Sequence, residues 1–362
     1  MQTMETLKLF FSDYIFIGIL AYIILPLMLF YKSSIYSFGS YNTEFLSKRS
    51  TDCIKGLSIL VVILHHISLR MQHPGSMLIY TTFGYLAVSM FLFFSGYGLM
   101  TSKLKKQNYF KGFFSKRLSK VYIPFIIINM ITLTALIAIY NADFSVKQLI
   151  FNTLGLSLID STQWFVITII IFYVFFYLSF RFLSLKIAPH VLLGLTGIYF
   201  FSLLLFAFRF QWIYNTAFCF PLGVYTALHY DSFVNFIKKH YISCLISSLV
   251  LFLVFFSLGN LIPSIFMSLC NTISSVLFVF VILLFLFKVK LNSKPLIFIS
   301  TMAYELYIIH VKIMVPYFNS VSLKGSYTVY IYLIITILVS FIFSKFFKLI
   351  RFDGKAKLTK NI

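Results

Sequence analysis

Charge is what this sequence has least of. Only 11% of its 362 residues are Asp, Glu, Lys or Arg, and nine of those are acidic. A soluble domain carries about 25% charged residues. One water-excluded core also could not hide aromatic residues that make up 20% of the chain. Cysteine is scarce: Cys53, Cys219, Cys244 and Cys270 lie far apart, with no CxxC and no histidine at ligand spacing. That gives no pattern for a zinc site or a disulfide framework, and the four read as thiols in lipid or at its interface. Pro/Gly linkers, low-complexity tracts, repeats and long polar segments are missing as well. No separate soluble domain is signalled, and the lack of repeats weakens an inverted-repeat transporter reading. The N-terminus does not read as a cleavable signal. Its apolar run is too long, it follows Glu5, Lys8 and Asp13, and it has no small-x-small cleavage site.

What the chain has instead is apolar length. Hydrophobic residues form 60% of it, in runs at about 14–31, 55–71, 78–100, 121–140, 164–182, 190–208, 211–229, 241–258, 264–287, 295–315 and 327–346. A membrane-spanning helix needs about 20 such residues. The expected fold is therefore all-α, a polytopic transmembrane bundle of about eleven helices. The loop at 141–163 is the longest on its side and has room for a short interfacial helix.

The formal net charge of +21 would suit a nucleic-acid partner if the cations formed one patch. They fall instead in short loops between apolar runs. Counted on alternate loops, 24 Lys and Arg lie on one side and six on the other: Lys8, Arg70, Lys147, Arg209, Lys312 and Lys324. By the positive-inside rule the first side is cytoplasmic, the N-terminus outside and the C-terminus inside. A lipid bilayer, not nucleic acid, is the implied partner.

An ionisable side chain inside a bilayer is costly and is a functional candidate by default. The second run holds the densest set, Asp52, Lys55, His65 and His66. Lys55 and His66 are eleven residues apart, within about 20° of three full helical turns, so they share a face. With Lys55 at the cytoplasmic surface, a rise of about 16.5 Å sets His66 near or just past mid-membrane. A histidine there suits proton transfer, although helix packing also accounts for a lone one. Asp52 is expected to cap this helix and to orient Lys55.

In that segment the sequence resembles acyltransferase family 3, whose signature is a basic residue, ten intervening residues and a histidine. Further resemblances follow in order: Phe93-Phe94-Ser95-Gly96-Tyr97; the basic Lys116–Lys120 stretch with Pro124 downstream; Gln163-Trp164-Phe165; Phe220-Pro221-Leu222-Gly223; and Ala303-Tyr304 with Leu306-Tyr307-Ile308-Ile309-His310. Together they cover roughly residues 50–345. The departures are Lys55 and Lys120 where the family has arginine, Gln163 where it often has histidine and Ala303 where serine is common.

The resemblance implies a ten-helix acyltransferase core at 51–347, preceded by an accessory helix and linker at 1–50 and followed by a basic tail at 348–362. It implies O-acylation, with acetyl-CoA the commonest donor, no metal, and a cell-surface or lipid-linked glycan as acceptor at a membrane that is bacterial by composition. His66, Lys55 and Asp52 are the expected catalytic residues, with His66 a general base or an acyl carrier. Lys55, Arg117, Lys120 and Ser95 would bind the donor; Trp164, Glu305, Tyr307 and His310 would meet the acceptor. His310 is expected close to the outer end of its helix, at an acceptor entrance. Glu305 has a second reading, an ion pair with Lys312 seven residues on. The rival to an enzyme is a transporter or flippase for a lipid-linked sugar or small anion, using the same His, Glu and Lys without acyl chemistry.

Overall fold

Ser47 begins the bundle's central helix by accepting a hydrogen bond from the backbone N–H of Ser50, a Ser N-cap that satisfies one orphan donor. The computed structural model describes residues 7–261, 265–321 and 325–350. Lys324 and the tail from residue 351, both part of the charge comparison, lie outside the described residues. Thirteen helices are described: α1 Ile15–Phe30, α2 Lys48–Arg70, α3 Tyr80–Lys105, α4 Phe113–Tyr140, α5 Val146–Leu154, α6 Trp164–Phe182 and α7 Ala188–Phe206. They continue with α8 Cys219–Leu228, α9 Tyr230–Leu261, α10 Ile265–Lys288, α11 Lys294–Ser300, α12 Ala303–Ser320 and α13 Thr328–Ile350.

The chain is a polytopic helical membrane protein. Among the described residues, eight helices are long and apolar enough to cross a bilayer, or nine if the bent pair α11 and α12 is one span. Lipid-facing side chains such as Ile139, Phe206, Leu253 and Ile342 are exposed on their outer faces, as helices in hydrocarbon require. The expected interfacial helix at 141–163 is α5, opened by a capping box between Ser145 and Gln148.

Two small pairings mark opposite ends of the bundle. Leu9 bridges Met71 just beyond α2 at the lysine-poor end. A two-residue antiparallel ladder joins Ser34–Ile35 (β1) to Val289–Lys290 (β2) at the lysine-rich end.

Three of the eleven expected spans are not single regular helices. The first is only sixteen residues and contains a π-helical turn at Leu20–Ile24. The tenth breaks at Thr301 and Met302, with a bend of 75° between α11 and α12. There the Thr301 hydroxyl donates to the carbonyl of Phe298, 2.8 Å away. This local bond competes with the helical ladder, and Met302 leaves helical geometry.

The seventh departs furthest, because only Cys219–Leu228 of the run 211–229 is α-helical. Ten residues rise about 15 Å, half the hydrocarbon thickness. Gln211, Asn215 and Thr216 interrupt the apolar pattern ahead of it, and their segment is short 3₁₀ helix and turn. Irregular backbone at membrane depth is tolerated where it is packed in protein or lines a cavity.

The short helix is held by close backbone approach to α3. A Cβ on Gly96 would collide with the carbonyl of Phe220, and one on Gly223 with the carbonyl of Phe93. Each glycine thus admits the other helix's main chain, the small-residue packing that lets helices meet in lipid.

Candidate functional site

At the lysine-poor end the missing half of the seventh span leaves a cavity of about 580 Å³. His65, His66 and Arg70 of α2, Tyr85 of α3, and Trp164 and Tyr307 line it, together with Gln211, Trp212, Asn215 and Asn271. The amides are organised among themselves. Asn271 donates to the Gln211 side-chain oxygen at 3.0 Å, and Tyr85 donates to Asn271 at 3.3 Å and meets the Ser274 hydroxyl at 2.8 Å.

His66 lies four residues from the end of α2, toward the lysine-poor end of that helix. The helix starts at Lys48, seven residues before Lys55, so Lys55 sits about 10 Å in and His66 about 27 Å in. His66 is half-buried, and among the described residues no hydrogen bond holds its ring. His65 is packed into structure: its Nδ1 lies 2.8 Å from the carbonyl of Tyr80, and its ring covers Gly84.

His310 stands behind His66, with ring centroids 5.1 Å apart. It is fully buried and is not among the cavity-lining residues. Ten residues of α12 follow it, so it sits mid-helix instead of near an outer end. Its Nδ1 lies 2.8 Å from the carbonyl of Tyr307 and 3.0 Å from that of Leu306. Tyr307, one turn earlier, reaches the cavity wall and donates its hydroxyl to the Thr162 carbonyl.

Lys312 pairs with Asp160, not with Glu305. Its Nζ is 3.0 Å from an Asp160 oxygen, with side chains only 8% and 2% exposed. Two helical turns put Glu305 and Lys312 about 10 Å apart along the axis, whereas the loop before α6 delivers Asp160 directly. Burial opposes the charged form of Asp160, but Lys312 and the Thr162 hydroxyl outweigh it and hold the carboxyl below its ordinary value. Glu305 is buried within α12 and is not among the cavity-lining residues. Gln163 is structural: its amide donates to Asn129 at 2.6 Å and accepts from the Ile159 N–H at 3.2 Å.

Toward the lysine-rich end, Lys55 pairs with Asp52 at 3.3 Å and lies 5.6 Å from the ring centre of Phe94. Asp52 therefore orients Lys55, but it is not the helix cap, since Ser47 takes that role one turn earlier. A smaller cavity of about 170 Å³ opens between the end of α3 and the start of α4. Lys106, Tyr109, Lys116, Arg117 and Lys120 line it, with Ser102. Arg117 donates to the Tyr109 hydroxyl at 3.1 Å, and its guanidinium lies 5.8 Å from the rings of Phe113 and Tyr173. Ser95 is partly buried on α3, about two turns deeper than Ser102, and is not among the residues lining this cavity.

The structure thus gathers His66, Trp164 and Tyr307 around one cavity and Arg117 and Lys120 around another, with Lys55 and Asp52 along α2 outside both linings. The amides Gln211, Asn215 and Asn271, with Tyr85 and Arg70, went unmarked in the sequence reading. Their only signal was polarity inside apolar runs. Asp160 lay in a loop with no pattern to mark it.

A family model described as an acyltransferase domain matches residues 48–345. No match was found among curated proteins or among solved structures. The matched stretch begins at the first residue of α2, takes in both cavities and ends within α13, and the chain belongs to acyltransferase family 3 as a membrane-embedded acyltransferase.

Proposed function

We propose that the protein transfers an acyl group, acetyl in the first instance, from acyl-CoA to a hydroxyl of a cell-surface or lipid-linked glycan. The observation that carries this reading is the pair of cavities at opposite ends of one bundle. The smaller has lysines and an arginine suited to the phosphates of CoA. The larger has two tryptophans, amides and two tyrosines suited to sugar hydroxyls, with His66 in its wall.

In this reading the lysine-rich end is cytoplasmic, in a bacterial cell membrane. Residues 51–347 act as the catalytic core, α1 is accessory and the tail from 348 is cytoplasmic. Lys55, steered by Asp52, and Ser95 guide the donor between the two cavities. Trp164 and Tyr307 hold the acceptor, and Glu305 and His310 stand in the wall behind them.

His66 takes the acceptor hydroxyl proton as the new C–O bond forms and the thioester C–S bond breaks. The same proton then passes to the departing CoA thiolate. In a second route His66 itself accepts the acyl group and passes it on; rapid quenching with labelled acetyl-CoA traps label on the protein in that case alone.

The test compares cells expressing wild type or His66→Ala at equal membrane abundance, with base-labile acetate on surface glycans measured by proton NMR. Acetate present with wild type and lost in the variant is expected. Equal acetate in wild type, variant and empty vector, with altered glycan export, would replace the reading with transport.

A further inference from the structure

His310 offers a nitrogen that no described residue uses. Its Nδ1 faces two backbone carbonyls. Carbonyls only accept, so Nδ1 carries the ring proton and Nε2 bears the lone pair of the neutral imidazole. That Nε2 is buried and has no hydrogen-bond partner among the described residues, a costly state for a polar atom. The imidazole nearest on the cavity side is His66, at 5.1 Å between ring centres and 36° between planes. Two imidazoles joined by an N–H···N bond of ordinary length have centroids about 5 Å apart. The centroid spacing matches such a bond, which forms when the half-buried His66 ring turns an N–H toward Nε2. His65 is spent elsewhere, on the Tyr80 carbonyl and the surface of Gly84.

We infer that His310 Nε2 accepts the N–H of His66 and so holds His66 in the one tautomer whose other nitrogen faces the cavity with its lone pair free. This rests on His66 being the base of the proposed reaction. His310 is a positioning residue, and it never touches substrate. When His66 takes the acceptor proton it becomes an imidazolium, and the N–H directed at His310 spreads that charge onto a fixed neutral acceptor. The proton abstracted leaves later with the thiol, so His310 ends each cycle as it began. An orienting third group of this kind is the general logic of base-assisted transfer, in which the wrong tautomer alone suppresses the rate. Here the orienting group is itself held by main-chain carbonyls.

The test uses full-length protein carrying ¹⁵N-histidine in lipid nanodiscs, with His66 signals assigned through His66→Gln. Wild type is expected to give one His66 tautomer, His310→Phe a mixture and His310→Gln, whose side-chain oxygen can accept, a single form again. In parallel, thiol release from acetyl-CoA is followed in membranes of the expressing cells. His310→Phe is expected to lower kcat at least about tenfold with KM unchanged, and His310→Gln to restore most of it. An unaltered His66 tautomer in His310→Phe overturns the inference, as does equal loss in both variants while the tautomer holds. If wild type releases no thiol, the proposed reaction fails, and the NMR comparison still decides the pairing.

Discussion

At the lysine-rich end, Lys106, Lys116 and Lys120 stand exposed around Arg117, whereas at the opposite end Asp160 and Lys312 are almost wholly enclosed. The first arrangement acts at a distance, since several cations at a cavity mouth raise the local concentration of an anion without fixing its pose. The second acts only by contact. A buried pair contributes little net energy over an apolar equivalent, yet it is expensive to break. What it fixes is geometry: it ties the loop ahead of Trp164 to the helix that carries Tyr307 and His310.

The contrast can be broken in order of expected effect. Replacing His66 by Ala should cost about 10²-fold or more in acyl transfer, the range of a lost general base, read as glycan acetate at equal protein abundance. Asp160→Ala should destabilise the protein by about 3–5 kcal/mol, because it strands a buried ammonium, measured by thermal unfolding in detergent. Its ionisation stabilises the fold above the unfolded pKa of about 3.9. That contribution is lost only as pH falls through the lower folded value. The gap between wild type and variant should therefore hold steady from neutral pH down to roughly pH 5.

Gly223→Ala should cost about 1–3 kcal/mol as the crossing with α3 is forced apart, by the same unfolding measurement. Arg117→Ala should raise the apparent KM for acetyl-CoA several-fold and flatten its dependence on salt, which a structural role alone would not do. Smallest is Asp52→Asn: the pair with Lys55 is partly exposed, so stability should move by less than about 1 kcal/mol.

The sequence made the bundle legible because apolar length is a one-dimensional property. It also pointed to His66, Trp164 and Tyr307, which the structure brings to one cavity. Hydropathy alone, however, treated 211–229 and 295–315 as two more spans. Whether a polar residue is tolerated or breaks the ladder depends on partners elsewhere in the fold, as at Gln211 with Asn271. The partner of Lys312 was hidden for the same reason, because helical spacing reveals only neighbours on one helix and Asp160 arrives from another part of the chain. How far along α2 His66 lies is set by where that helix begins, which Ser47 decides.

The ten residues of α8 also bear on how the protein is made. Too short to hold its place in lipid as an independent hairpin arm, that segment depends on α3, which precedes it in the chain, to receive it. The packing of the seventh run is then completed by a glycine-to-backbone clasp on a helix that entered the membrane before it. Lesions at Gly96 or Gly223 should accordingly surface as quality-control losses, with chains degraded before the site is assembled, while a lesion at His66 leaves abundance untouched.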